Sequence, residues 1–266
     1  MTTKTRLLLP LFLCIFNLSV CAQDSLQNDF IPQTSAEQIY LLSNLHENTA
    51  LANFLNHTIL TFKVSNLYSL HELTDLNMDY FPKWKENCFH MGLGHFGYSQ
   101  IGSLDFKMGY SRIWNRKISF SLDFIYRLNH VVDAPVKNTV TFSCSFFGKI
   151  NNKTGMGFYI FNPINSTYLE SKRFKIPITM KVLGIFSLNK NMIITGELTK
   201  ELPGYFDFNF STLVHHKSIS FSFDFSSKNV GFGLYFQYKK ILLKTKYSYH
   251  YLLGGSPEML LTYNWK

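Results

Sequence analysis

From about residue 58 to the C-terminus, apolar and polar residues alternate along the chain. The clearest run is Ile118 to Leu128. Ile118, Phe120, Leu122, Phe124, Tyr126 and Leu128 fall on one parity, and Ser119, Ser121, Asp123 and Arg127 on the other, broken only by Ile125. Successive side chains of a strand point to opposite sides, so this is a strand with one greasy and one polar face. The pattern recurs in Val140–Phe146, Phe206–Phe210, Ile219–Phe225, Val230–Tyr238 and Ile241–Tyr249. Tight polar links such as Asn115-Arg116-Lys117, Asn189-Lys190-Asn191 and Lys239-Lys240 separate the runs, as antiparallel hairpins require. About 14 strands are predicted, near 58–68, 75–82, 87–97, 99–113, 118–130, 138–149, 155–162, 174–188, 192–200, 204–214, 218–226, 229–239, 241–251 and 258–266.

Residues 23–57 break this pattern. Ser35-Ala36-Glu37-Gln38 has the form of a capping box, with Ser35 as N-cap, and Ile39, Leu42 and Leu45 follow at helical spacing. The segment reads either as a short amphipathic helix at the domain edge or as a plug entering a lumen.

Two architectures use such strands. A soluble sandwich buries its Phe faces between two sheets. A transmembrane barrel turns them outward to lipid and keeps Ser, Asn, Asp and Lys inside. Strand length favours the barrel, because roughly 9–11 tilted residues cross a bilayer and soluble strands usually run about 5–6. Aromatics near strand ends (Trp114, Tyr126, Tyr159, Tyr205, Tyr249, Tyr251, Tyr263, Trp265) fit girdles at headgroup level. Composition agrees. Aromatics reach 17% while charged residues are only 16%, which excludes disorder and is unusually poor in charge for a soluble domain. The fold class expected is all-β: an antiparallel transmembrane β-barrel with a short N-terminal helical or irregular segment.

Residues 1–22 have the form of a secretory signal, with Lys4 and Arg6 before an apolar stretch and cleavage expected after Ala22. Lipid attachment at Cys21 fits less well, because Val20 stands where a small residue belongs. The expected division is therefore 1–22 signal peptide, 23–57 N-terminal segment and 58–266 barrel. Cys88 and Cys144 remain after cleavage and are expected unpaired.

At the C-terminal end, His250-Tyr251-Leu252-Leu253-Gly254-Gly255-Ser256-Pro257 precedes a final strand from Glu258 to Lys266. This resembles the H-x-x-L-G-x-S-P pattern of PorV-like Bacteroidota outer-membrane barrels, within the FadL-like barrel superfamily. Gly109-Tyr110-Ser111, Phe161-Asn162-Pro163-Ile164 and Ile194-Thr195-Gly196-Glu197-Leu198 fit the same pattern. The resemblance covers roughly residues 95–266. It implies a barrel of about 14 strands in the cell outer membrane, with an N-terminal segment packed at or in the lumen. It also implies a role in type IX secretion-related surface export or in transport of hydrophobic molecules. The family's N-P-A-like turn is absent from Ala50 to Thr58.

Candidate chemistry is sparse. His215 and His216 are adjacent, and His90 and His95 differ by an odd number, so the members of each pair face opposite sides and neither pair can hold one ion from a regular strand. No G-x-S-x-G, H-E-x-x-H or P-loop pattern occurs, and no cofactor or metal is expected. Gly92, Gly94, Gly231 and Gly233 read as strand glycines relieving crowding in a curved wall. Lys244, Lys246 and His250 share the luminal parity and are the candidate ligand contacts; Asp123, Glu197, Asp207 and Asp224 also read as luminal. The formal charge of +9 comes without a basic block, so it points to anionic envelope glycolipid rather than nucleic acid. The expected partners are outer-membrane lipid and glycolipid, secretion-system or surface proteins, and a hydrophobic ligand. A non-enzymatic outer-membrane barrel is the first expectation and a secreted β-sandwich binding module the alternative. An outer-membrane enzyme would have to use Ser256 and His250, placed at a loop tip.

Overall fold

The structure is a computed structural model and describes residues 35–132, 136–166 and 176–265. The signal segment and residues 23–34 lie outside the described residues. The chain forms strands β1 (Thr58–Asn66), β2 (Thr74–Phe81), the two-residue β3 (Lys83–Trp84), β4 (Asn87–Gly97), β5 (Ile101–Trp114), β6 (Ile118–Val131) and β7 (Lys137–Lys149). These are followed by β8 (Thr154–Phe161), β9 (Ile178–Asn189), β10 (Met192–Leu202), β11 (Phe206–His216) and β12 (Ile219–Ser226). The last three are β13 (Asn229–Tyr238), β14 (Ile241–His250) and β15 (Gly254–Trp265). Neighbours in sequence pair antiparallel except β2 and β3, β1 pairs with β15, and β2 pairs with β4. All strands but β3 therefore close a ring of 14.

Burial settles which face is inside. On β6, Ser119, Ser121 and Asp123 are buried, while Phe120, Leu122 and Phe124 are 49%, 50% and 56% exposed. The same inversion holds around the ring, with Ser220, Ser222 and Thr262 buried and Phe221, Phe223 and Leu261 exposed. A sandwich would bury the Phe parity. Contiguous apolar surface of this extent is what a bilayer covers. Cys88 faces the lumen and Cys144, opposite exposed Leu122, faces outward; both are free.

Three expectations are corrected. The last strand begins at Gly254, not Glu258, so Ser256 is no loop tip: it lies in β15 opposite Ser248, and its Oγ accepts a hydrogen bond from Tyr68 N at 2.8 Å. Tyr159 is not a girdle residue but lines the lumen beside Lys181 and Leu183. The strand expected from 99 starts at Ile101.

β8 is shorter than its neighbour β7, and the buried Asn162 closes the wall above it. Asn162 adopts a left-handed φ of 55°. Its Oδ1 accepts from Thr141 Oγ1 at 2.8 Å and Ser166 N at 2.9 Å, and its Nδ2 donates to Ile176 O at 2.8 Å.

The termini of the barrel, Thr58 at the start of β1 and Trp265 at the end of β15, lie at one end, which also carries most of the shortest turns. The opposite end bears the longest link, 162–177.

Candidate functional site

The lumen is divided into an occupied half and an open half. At the end bearing the termini, inward positions that break the polar parity form an apolar belt: Ile59, Phe81, Ile113, Phe147, Ile193 and Leu242, each on a different strand and each buried. Helix α1 (Ser35–Ser43) and the 3-10 turn Thr49–Phe54 sit within this belt. α1 touches β10, β11, β14 and β15, and the 3-10 turn touches β4 to β7 across the ring. The helix buries Ala36, Ile39, Leu41 and Leu42, which lie on more than one face, as suits a helix enclosed by a wall. The Ser35 side chain lies outside the described residues. Phe54 packs edge-on against Phe147, with ring centroids 5.1 Å apart.

Polar contacts fix the register of this hatch. Asn48 caps the 3-10 turn, its Oδ1 accepting from Ala50 N at 3.1 Å. Ala50 N also donates to Ser145 Oγ at 3.2 Å, and Asn53 Nδ2 donates to Ser119 Oγ at 2.8 Å. Lys83 Nζ donates to Asn53 O at 2.6 Å. Glu37 pairs with Lys149, and Lys181 bridges Glu47 at 3.2 Å and Glu197 at 3.1 Å. The Lys181 ammonium holds the Glu47 carboxyl well below the usual carboxylate range.

His46 adds a pH dependence. Burial first, and the Lys63 ammonium second, lower its pKa from 6.5 to about 3, against weaker opposing effects of Glu47 and Glu258. Its Nε2 lies 3.0 Å from Lys63 Nζ and accepts that donor as a neutral ring. Because the docked value is depressed, docking is fully supported above pH 6.5 and weakens as pH falls toward 3. The expected slope is about 1.4 kcal/mol per pH unit, or about tenfold in hatch release. Single-channel recording between about pH 7.5 and 5 should show rising open probability, and His46→Asn should flatten that dependence.

The most highly connected luminal cluster surrounds His90. Its Nδ1 is 2.7 Å from Asp123 Oδ1 and its Nε2 3.0 Å from Asp79 Oδ1, and the ring stacks on Phe81 at 4.6 Å. Both nitrogens face carboxylates, an arrangement that an imidazolium satisfies with two donated hydrogen bonds. Asp123 Oδ2 in turn accepts from Thr49 Oγ1 of the hatch at 2.7 Å and from Ser143 Oγ at 3.3 Å. Lys107 Nζ lies 3.7 Å from Asp79. Glycines make room: Gly92 pairs with Asp79 and Gly109 with Asp123, and a Cβ at either would collide with the carboxylate. Asp123 is luminal by alternation, but no spacing rule joins it to His90 and Asp79, which stand on β4 and β2.

Above the hatch lies a cavity of about 490 Å³, lined by Lys63, Asp75, Asn77, Asp105, Arg127 and Glu258 among others, and open toward the loops. Its charges are largely paired. Arg127 grips Asp105 through two 2.6 Å hydrogen bonds, and Lys63 lies 3.3 Å from Glu258.

The sequence-predicted ligand contacts are also engaged within the wall. Lys244 lies 2.8 Å from Glu258 and Lys246 3.1 Å from Asp224. His250 sits at the rim, where its Nδ1 accepts from Leu252 N and Leu253 N at 3.1 Å each, so the three do not converge on one space. His215 is buried against Ser220 while His216 is exposed, and among the described residues no metal-ligand cluster forms.

No family model and no curated protein matches this chain. Solved structures do. The Pseudomonas putida toluene transporter TodX is similar with a TM-score of 0.57 at 9% identity, over 84% of this chain and 93% of that one. The CymD monoaromatic hydrocarbon channel gives 0.60 at 7% identity, over 84% and 91%. A Pseudomonas aeruginosa FadL homologue gives 0.58 at 9% identity, over 85% and 94%. The likeness is one of fold, a closed antiparallel β-barrel.

Proposed function

We propose that the protein is a non-enzymatic outer-membrane channel for small hydrophobic molecules, held closed by its N-terminal hatch. The observation that carries this is the apolar belt inside an otherwise polar lumen. Ile59, Phe81, Ile113, Phe147, Ile193 and Leu242 face inward where alternation would place polar residues. When the hatch shifts, that belt is an apolar passage beneath the polar vestibule, suited to a molecule with little hydrogen-bonding capacity. TodX, a toluene transporter, and CymD, a monoaromatic hydrocarbon channel, share this fold and support this substrate class. The His250–Pro257 stretch supports a second reading, a PorV-like part in type IX secretion-related surface export. Extraction from native outer membrane in mild detergent, followed by mass spectrometry, separates the two. A retained small hydrophobic molecule that dissociates when the belt is altered by Phe147→Ser supports the channel. A retained exported protein, with no small molecule, would overturn it in favour of export.

A further inference from the structure

Among the described residues, the loop cations are concentrated at one end of the barrel. The six turns at the end bearing the termini span 82–86, 115–117, 150–153, 190–191, 217–218 and 239–240. Each carries at least one exposed cation: Lys85, Arg116 with Lys117, Lys153, Lys190, Lys217, and Lys239 with Lys240. The acid in these turns is Glu86, which lies 3.9 Å from Arg112. At the opposite end, the described loop residues carry Glu72 and Lys228.

Local backbone makes the choice of residue more telling. Lys85, Arg116, Lys217 and Lys239 have φ of 55°, 54°, 55° and 51°. Tight hairpin turns favour Gly or Asn in that left-handed region, and a long side chain there costs about 1 kcal/mol or more. Four of the six turns therefore tolerate backbone strain to present a cation. Aromatics lie beside them on the outer face, with Trp84 and Trp114 each 64% exposed and Tyr238 57% exposed. Such residues mark headgroup level.

We infer that this rim is a binding ring for the anionic headgroups of phospholipids in the adjacent leaflet. A protein partner docks on one side of a barrel, whereas these cations occupy every turn around the circumference, at the depth where lipid headgroups lie. Short turns mark the periplasmic end of such barrels, so the lipid is that of the inner leaflet. The basic surplus of these turns thus faces phospholipid. The inference rests on the membrane-barrel reading.

The test is native mass spectrometry of full-length mature protein released from vesicles of equal phosphatidylglycerol and phosphatidylcholine. One cation near a membrane surface is worth about 1 kcal/mol, which is about fivefold in occupancy at each contact. Wild type should retain phosphatidylglycerol several-fold over phosphatidylcholine, and high salt should erode the preference. The eight-site variant K85Q/R116Q/K117Q/K153Q/K190Q/K217Q/K239Q/K240Q should retain both in the supply ratio, and R116Q/K117Q/K239Q/K240Q should lose about half the preference. A heated-against-unheated gel shift shows that each variant is a folded barrel. Folded wild type without phosphatidylglycerol enrichment, or a folded eight-site variant that keeps it, overturns the inference alone. Wild type that does not enter vesicles overturns the inference and the barrel together.

Discussion

Ile39→Asp/Leu42→Asp should expel the hatch and convert a closed barrel into an open channel. Both side chains are fully buried in the apolar belt and lie one helical turn apart on α1. Two carboxylates there lose hydration, gain no designed partner and repel each other. The cost is on the order of 5 kcal/mol, enough to shift a closed–open equilibrium by more than three orders of magnitude. The barrel itself should persist, because its ladder does not pass through α1. Planar-bilayer recording should show long-lived open steps in the variant and rare brief ones in wild type. Ile39→Ala/Leu42→Ala, which removes packing without adding charge, should fall between. Equal conductance in all three proteins would mean that the segment does not gate the pore.

The second large effect is expected at His90. His90→Ala leaves Asp79 and Asp123 facing each other across an emptied, buried space, with Lys107 as the remaining cation near Asp79. Breaking a buried ionic network by removing one partner costs about 3–5 kcal/mol. Because Asp123 also accepts from Thr49, the loss reaches the hatch as well as the wall. The urea midpoint of the folded barrel should drop clearly in His90→Ala. Neutralising both acids as well, in H90A/D79N/D123N, should recover most of it. A single variant as stable as wild type would show that the cluster contributes nothing.

Much of the wall was legible in the sequence, because in a strand the identity of every second residue reports one environment. β6, β12 and β13 could be bounded from alternation within a residue or two. Alternation is silent on which parity faces inward: Phe124 and Asp123 are equally consistent with a sandwich until the ring is seen to close. The hatch was half legible. Ile39, Leu42 and Leu45 have helical spacing, but destination is a tertiary property, and Leu41 off that stripe was the clue that the helix is enclosed. The belt also left a signal, since Phe147 and Leu242 stand on the polar parity of their strands. The His90 cluster left none. Asp79, His90 and Asp123 meet only through the register of β2 with β4, β4 with β5 and β5 with β6. The C-terminal motif misled over Ser256, because Gly254 and Gly255 read as a loop although they pair with His250 and Tyr249 as strand.

The central claim is that the apolar parity faces lipid and the polar parity faces the lumen. Single cysteines at positions 118 to 126, introduced one at a time on a C88S/C144S background, test it most directly. Each would carry a fluorophore in vesicles containing bromine-labelled acyl chains. Quenching should alternate, strong at 118, 120, 122, 124 and 126 and weak at 119, 121, 123 and 125. Uniformly weak quenching, or the opposite phase, would contradict the account.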